Sequence, residues 1–234
     1  MAVSAGFYKK IEQWVLNPQL DEISFQPFQT NGNPYRSNVF LIGETPEPYL
    51  QIDADDLDLY AQSLVDREVF QELFYEELKS ASREYRGCIH FMDWMKENYN
   101  EVVVFSYLNC LHVEDPNYYK ELKMRQDPLY AKGMEILPEL LDEFAPKMVI
   151  VQGAANWKQF IERFEEQLID VTDIKQSVQQ LESKGVLAKL PLTSGESVSV
   201  LACRSMGNFG KTGSTFGELK QIINQLLNNG SNSE

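Results

Sequence analysis

Cysteine, histidine and positive charge are all in short supply in this chain. Its 234 residues hold three cysteines, Cys88, Cys110 and Cys203, widely spaced and with no C-x-x-C pair. An odd, scattered set of this kind supports neither a secreted disulfide framework nor a structural zinc site. Long apolar runs are missing too: none approaches the roughly 20 residues a membrane-spanning helix needs. The start of the chain, Met1 to Gln13, has Lys9, Lys10 and Glu12 but no apolar core, so it does not read as a signal peptide. The expectation is a cytoplasmic protein with no membrane partner.

Lys and Arg number 21 against 35 Asp and Glu, a net charge of -14. A balance of that sign speaks against nucleic acid as a partner, but phosphate contacts depend on a local patch rather than on the whole chain. The surplus is concentrated: residues 44–101 carry 15 acidic and 5 basic side chains, whereas residues 189–234 carry 3 acidic and 4 basic. The first segment reads as a solvated acidic face, a phosphate mimic, or a surface that repels the wrong partner. With 43% hydrophobic and 12% aromatic residues, the chain has the material for one good core.

Periodicity then orders the chain. Phe7, Ile11, Trp14 and Val15 lie at helical spacing, and Asn17-Pro18 stops that helix. Residues 23–29 read as a short extended piece. Val39 to Ile42 is an apolar run of the kind that forms a fully buried strand, and Gly43-Glu44-Thr45-Pro46 ends it in loop chemistry. Val65 to Tyr85 and Ile89 to Tyr99 have helical period, with Gly87 punctuating them. Val102 to Phe105 is a second buried strand, and Asp115-Pro116-Asn117 opens a loop. Pro128 to Phe144 is an amphipathic helix, Met148 to Gln152 a third strand, and Gly153 begins a helix carrying Trp157, Phe160 and Phe164. Residues 167–189 show no clear period. Val198 to Ala202 is a fourth strand; a glycine-rich loop, Gly207 to Gly217, leads to a last helix, Glu218 to Leu227. Residues 228–234 are polar and read as a disordered tail. Strands alternating with helices predict a three-layer α/β/α sandwich around a short, mostly parallel four-stranded sheet.

Ligands of such sheets bind at the carboxyl ends of the strands. Three strand ends are chemically rich: Gly43-Glu44-Thr45-Pro46, Asn109, and Arg204 with its glycine-rich follower. In order and spacing these segments resemble the uracil-DNA glycosylase superfamily. Leu41-Ile42-Gly43-Glu44-Thr45-Pro46 is similar to its first motif, Phe105 to Asn117 to its second strand and loop, Ala145 to Ala155 to its "P-x-x-I-v-x-l-G-x-x-A" passage, and Ala202 to Ser214 to its last strand and minor-groove loop. The resemblance covers about Val39 to Leu227 and implies a single domain over residues 1–227, with a helical insertion at about 54–100.

What it implies for chemistry is a monofunctional DNA glycosylase, in base-excision repair or in defence against phage with modified DNA. It would flip a pyrimidine, modified or not, out of DNA and hydrolyse its N-glycosidic bond. Glu44 would orient water and stabilise the cationic sugar, and Asn109 would read the base with its donor and acceptor. Gly43, Thr45, Pro46, Tyr49, His112 and Arg204 would form the substrate pocket, with Tyr49 or Tyr60 as the stacking platform. Ser205, Met206, Asn208, Phe209 and Lys211 would face DNA, Met206 or Phe209 as a wedge in the emptied stack. No lysine at the pocket implies no Schiff base; no metal or other cofactor is implied, and the expected state is a monomer. Where the family carries His-Pro-Ser, this chain has Arg204-Ser205-Met206, which points to a base other than uracil or to altered activity.

Each assignment has a structural competitor. Glu44 can be a helix-start acid, Asn109 the satisfier of a turn, Arg204 a salt-bridge partner, and the glycine-rich loop merely flexible. His90 falls in an apolar helix and reads as core. Two other functions stay open: a non-catalytic binding protein on this scaffold, and an N-glycosidase of free nucleosides or nucleotides. A basic rim around the Glu44–Asn109 cleft favours the DNA enzyme; a uniformly negative one favours the other two.

Overall fold

The structure, a computed structural model, describes residues 3–15, 23–46, 57–74, 79–172 and 174–229. Its centre is a strand, β3 (Ser37–Gly43), in which Val39, Phe40, Leu41 and Ile42 are all 0% exposed. A strand apolar on both faces needs parallel neighbours and cover above and below. The neighbours are β4 (Val102–Tyr107) on one side and β6 (Met148–Gln152) then β8 (Ser197–Cys203) on the other, all parallel.

The sheet is nevertheless mixed and has six strands, not the four expected. β2 (Phe28–Thr30) pairs antiparallel with β4, and β7 (Ala188–Pro191) antiparallel with β8, giving the order β2-β4-β3-β6-β8-β7. Both additions are short, and the outer side of β7 is met by the chain after α7, where Ile169 and Lys189 exchange both backbone hydrogen bonds. A separate ribbon pairs β1 (Ile23–Phe25) with β5 (Leu111–Val113). The chain is thus α/β. From β3 the connections step first toward β4 and then back across to β6 and β8. With crossovers of the usual right hand, such a reversal puts helices on opposite faces of the sheet.

The helices mostly fall where their apolar spacing predicts. α1 (Ala5–Val15) buries Phe7, Ile11, Trp14 and Val15; its expected stop at Asn17-Pro18 lies outside the described residues. α2 (Leu57–Ser63) and α3 (Arg67–Phe74) precede α4 (Arg83–Tyr99). Gly87 does not punctuate this region, as expected, but lies inside α4. A Cβ there would sit 1.8 Å from the Met206 carbonyl oxygen, so glycine lets the chain after β8 lie directly on the helix. The break falls before Arg83 instead, where Ser82 caps α4 by accepting from the Tyr85 N–H.

Asp115-Pro116 is likewise no simple loop. Asp115 is the N-cap and Pro116 the first residue of α5 (Pro116–Met124), a pairing that suits proline. Asp127 caps α6 (Pro128–Phe144) in the same way. α7 (Ala154–Phe164) and α8 (Val178–Glu182) follow β6, and α9 (Gly217–Asn229) closes the described chain. Residues 228 and 229 belong to α9 rather than to a tail; residues 230–234 lie outside the described residues.

Gly87→Ala is expected to cost about 3 kcal/mol by overpacking, a drop of about 6–12 °C in melting temperature for a chain of this length. Gly6→Ala, with nothing within 4 Å of the added carbon, serves as the control and should leave the melting temperature unchanged or slightly higher. Thermal melts followed by circular dichroism decide between them.

Candidate active site

Where β3 ends, Gly43 brings the backbone against two rings: a Cβ there would meet Phe105 and Tyr107 at 3.3 Å. The turn after β4 is stitched to the same place, with the Leu108 N–H donating to the Gly43 carbonyl at 2.9 Å and the Asn109 N–H to the Glu44 carbonyl at 3.0 Å. The Glu44 side chain is exposed, and its Oε1 accepts from Gln159 Nε2 of α7 at 3.1 Å. One turn along the same helix, Arg163 donates to the carbonyls of Leu108, at 2.6 Å, and of Met134. Burial pushes its pKa down, and the guanidinium pins α7 against the strand-end turn.

Beside Glu44 opens a cavity of about 200 Å³. That is room for six or seven waters at about 30 Å³ each, or for one small planar ring. Phe105 and Tyr107 of β4 and Tyr85 of α4 supply aromatic walls; Glu44 and Glu84 supply carboxylates, and Gln152 an amide. Its polar back wall is one connected network. Gln152, 1% exposed at the end of β6, donates from Nε2 to Glu84 Oε1 at 3.0 Å and accepts at Oε1 from the Met206 N–H at 2.8 Å. The other carboxylate oxygen of Glu84 accepts from the Ser205 hydroxyl at 2.5 Å. The Tyr85 hydroxyl donates to Gln29 Oε1.

Of the residues expected at the site, Gly43, Glu44, Thr45 and Pro46 do line this cavity together. Tyr49 lies outside the described residues. Tyr60 is 1% exposed in α2 and is not among the lining residues. Asn109 is a correction. Its side chain is 2% exposed, donates to the Tyr130 carbonyl at 3.0 Å and accepts from the Leu111 N–H at 2.9 Å. Both functions of the amide are spent on the turn into β5, against α6, where Gly133 leaves the space. His112 is not among the lining residues either: it lies in β5 opposite Ser24, with Nδ1 3.5 Å from the Ser24 hydroxyl.

Arg204 is a salt-bridge residue. It grips Glu182 of α8 with Nε at 3.2 Å and a terminal nitrogen at 2.9 Å, donates to the Thr215 carbonyl, and stacks 4.8 Å over Phe216. The hydrogen bonds to Glu182 raise its pKa. Met206 is fully buried against α4, and Phe209 is buried among Phe91, Trp94 and Phe216, so neither is free to act as a wedge. Ser205 is engaged with Glu84, while Asn208 and Lys211 are exposed on the loop.

Glu84, Tyr85, Tyr107, Gln152 and Gln159 are the site residues that the sequence reading missed. Gln152 had a usable signal, since it ends a predicted strand just as Glu44 follows one. Glu84 and Tyr85 had none, because the helical period ran through them without showing where α4 starts. Cys88 completes the lining, fully buried. Burial pushes the Cys110 thiol up to about 12 and raises Cys203 as well, so neither offers a thiolate nucleophile near neutral pH.

Among the described residues no three His, Cys, Asp or Glu are grouped to hold a metal ion, and no helix is long and apolar enough to cross a membrane. No protein-family model matches the chain, and the search of curated proteins finds no match to it either.

Two substitutions check the structural roles. Asn109→Ala strands the Tyr130 carbonyl and the Leu111 N–H and should cost about 1–3 kcal/mol in urea unfolding. Arg204→Ala leaves Glu182, only 3% exposed in its side chain, without its cation and should cost about 3 kcal/mol. Arg204→Lys should restore only part of that, since an ammonium cannot reproduce the forked contact.

Proposed function

We propose that this protein hydrolyses the bond between a nucleobase and its sugar, on a base extruded from DNA, with Glu44 orienting the attacking water. The observation that carries the reading is Glu44 itself. It stands exposed at the carboxyl end of the central parallel strand, one oxygen held by Gln159, beside an aromatic-walled cavity sized for one small ring. Breaking an N-glycosidic bond builds positive charge on the sugar, which a carboxylate at that point stabilises. The water oxygen bonds to the anomeric carbon, the electron pair of the broken bond leaves with the base nitrogen, and the proton lost by water ends on the base. A positioned base of this kind contributes about 10²–10⁴ in rate.

DNA as the source of the base is supported by the cavity's surroundings. Arg83 and Arg86 are exposed on the first turn of α4, which supplies Glu84 to the cavity, and Lys211 is exposed on the loop that packs against that turn. Such cations suit flanking phosphates. The reading takes the chain as a three-layer α/β/α sandwich working as a cytoplasmic monomer with no cofactor. Asn109, His112, Arg204, Met206 and Phe209 take no part in it.

A second reading, hydrolysis of a free nucleoside, is favoured by one feature: the described lining carries two carboxylates and no Lys or Arg. Base release separates the two. The panel pairs single- and double-stranded oligonucleotides bearing uracil, 5-hydroxymethyluracil and modified cytosines with the same deoxynucleosides in free form, resolved by chromatography. Release from DNA is expected, and Glu44→Gln should lower it at least about 100-fold while moving the melting temperature by no more than about 2 °C. Release from free nucleosides alone would replace DNA by the second reading. No release at all would remove the hydrolase, and an active Glu44→Gln would remove Glu44 from its role.

A further inference from the structure

Resting on that reading of the cavity, we infer that the base it takes carries an exocyclic amino group, as cytosine does and uracil does not, and that Glu84 reads that group. What sets the choice is the carboxylate of Glu84; the hydroxyls of Thr45 and Tyr107, which also line the cavity, both donate and accept and so do not discriminate amino from keto. The two charged groups of the described lining are Glu44 and Glu84, and a carboxylate only accepts. Gln152, the lining amide, has its Nε2 turned to Glu84, at 3.0 Å, and to Cys88, at 3.5 Å, and its oxygen holds the Met206 N–H. Tyr85 gives its proton to Gln29.

Glu84 is different. Its two oxygens accept one bond each, from Gln152 and from Ser205. A carboxylate has about four acceptor sites, so capacity remains at a group that faces the cavity and is itself held in place from behind. An amino group on the base edge meets that full negative charge as a donor. A carbonyl at the same position brings an acceptor against an acceptor, without water to separate them. The amino edge of cytosine or adenine is the natural partner of a carboxylate, and the carbonyl of uracil or thymine is not.

The test uses bases that differ only in amino against keto: cytosine and uracil, 5-hydroxymethylcytosine and 5-hydroxymethyluracil, adenine and hypoxanthine, each placed singly in the same oligonucleotide. The wild-type protein should favour the amino member of the accepted pair by about 100-fold or more in kcat/KM, as sites built around one polar contact do. Glu84→Gln keeps the size but adds donors, and it should cut that preference at least about 10-fold. Ser205→Ala, which removes a support of Glu84 but not its charge, should keep the preference. Calorimetric titration with free cytosine and free uracil supplies a readout that needs no turnover. Equal or better handling of the keto member overturns the inference, as does a Glu84→Gln variant that folds and keeps the wild-type ratio. A protein that binds cytosine over uracil yet releases nothing upholds it while removing the hydrolase; one that binds and releases neither overturns both.

Discussion

One buried amide holds the working end of this molecule together. Gln152 closes a strand whose every residue is buried, at a depth where a polar side chain must find partners inside the protein. It finds them in the Glu84 carboxylate of α4 and the Met206 N–H beyond β8, two segments far apart in the chain. Leaving either end of that amide unpaired would cost its full desolvation. The first turn of α4 and the start of the last loop are therefore tied to one point on the sheet. Gly87 is the steric half of the same constraint, since only a residue without a Cβ lets the Met206 carbonyl lie against the helix. The cavity beside Glu44 owes its back wall to this junction.

The parallel heart of the sheet was legible because buried parallel strands write themselves as continuous apolar runs. Val39 to Ile42, Val102 to Phe105, Met148 to Gln152 and Val198 to Ala202 all became strands, and in mutual contact. The edges were not legible, for an equally physical reason. β2 and β7 are three and four residues long, and each is decided by its pairing with a longer neighbour rather than by its own pattern. Gly87 misled because a helix-breaking residue and a packing residue look alike in one sequence. Only the partner that fills the missing Cβ tells them apart, and that partner lies more than a hundred residues away.

At the site, Glu44 and Asn109 followed neighbouring strands and looked equivalent, but they have opposite fates. Glu44 comes after a strand whose next residues, Thr45 and Pro46, line the cavity with it. Asn109 comes before a two-residue step into another strand, and its side chain bonds the N–H two residues on, the local habit of asparagine in turns. Gly133, where a Cβ would stand 2.1 Å from the Asn109 oxygen, makes the room for that choice. Arg204 shows the same pull of local partners: a nearly buried Glu182 within reach claims the guanidinium before any ligand can. Strand-end position says where chemistry can happen; which side chain is left free for it depends on contacts that no local pattern encodes.

The concentration of acid between residues 44 and 101 takes on a different sense once Glu44 and Glu84 are seen on one cavity. Two carboxylates beside a breaking glycosidic bond help the sugar, which turns positive, and hinder the base, which turns negative if it departs bare. The described lining offers no cation to offset that. On the proposed hydrolysis the base then leaves neutral, the proton lost by the attacking water passing to its ring as the bond breaks. An amino-bearing base is the kind that can do so, because the ring nitrogen beside its amino group is an acceptor able to take a proton. Protonated there, the base presents two adjacent donors, an arrangement that matches the two oxygens of a carboxylate. Under the proposed hydrolysis, the charge balance of that reaction and the spare acceptor capacity of Glu84 point to the same edge of the same class of base.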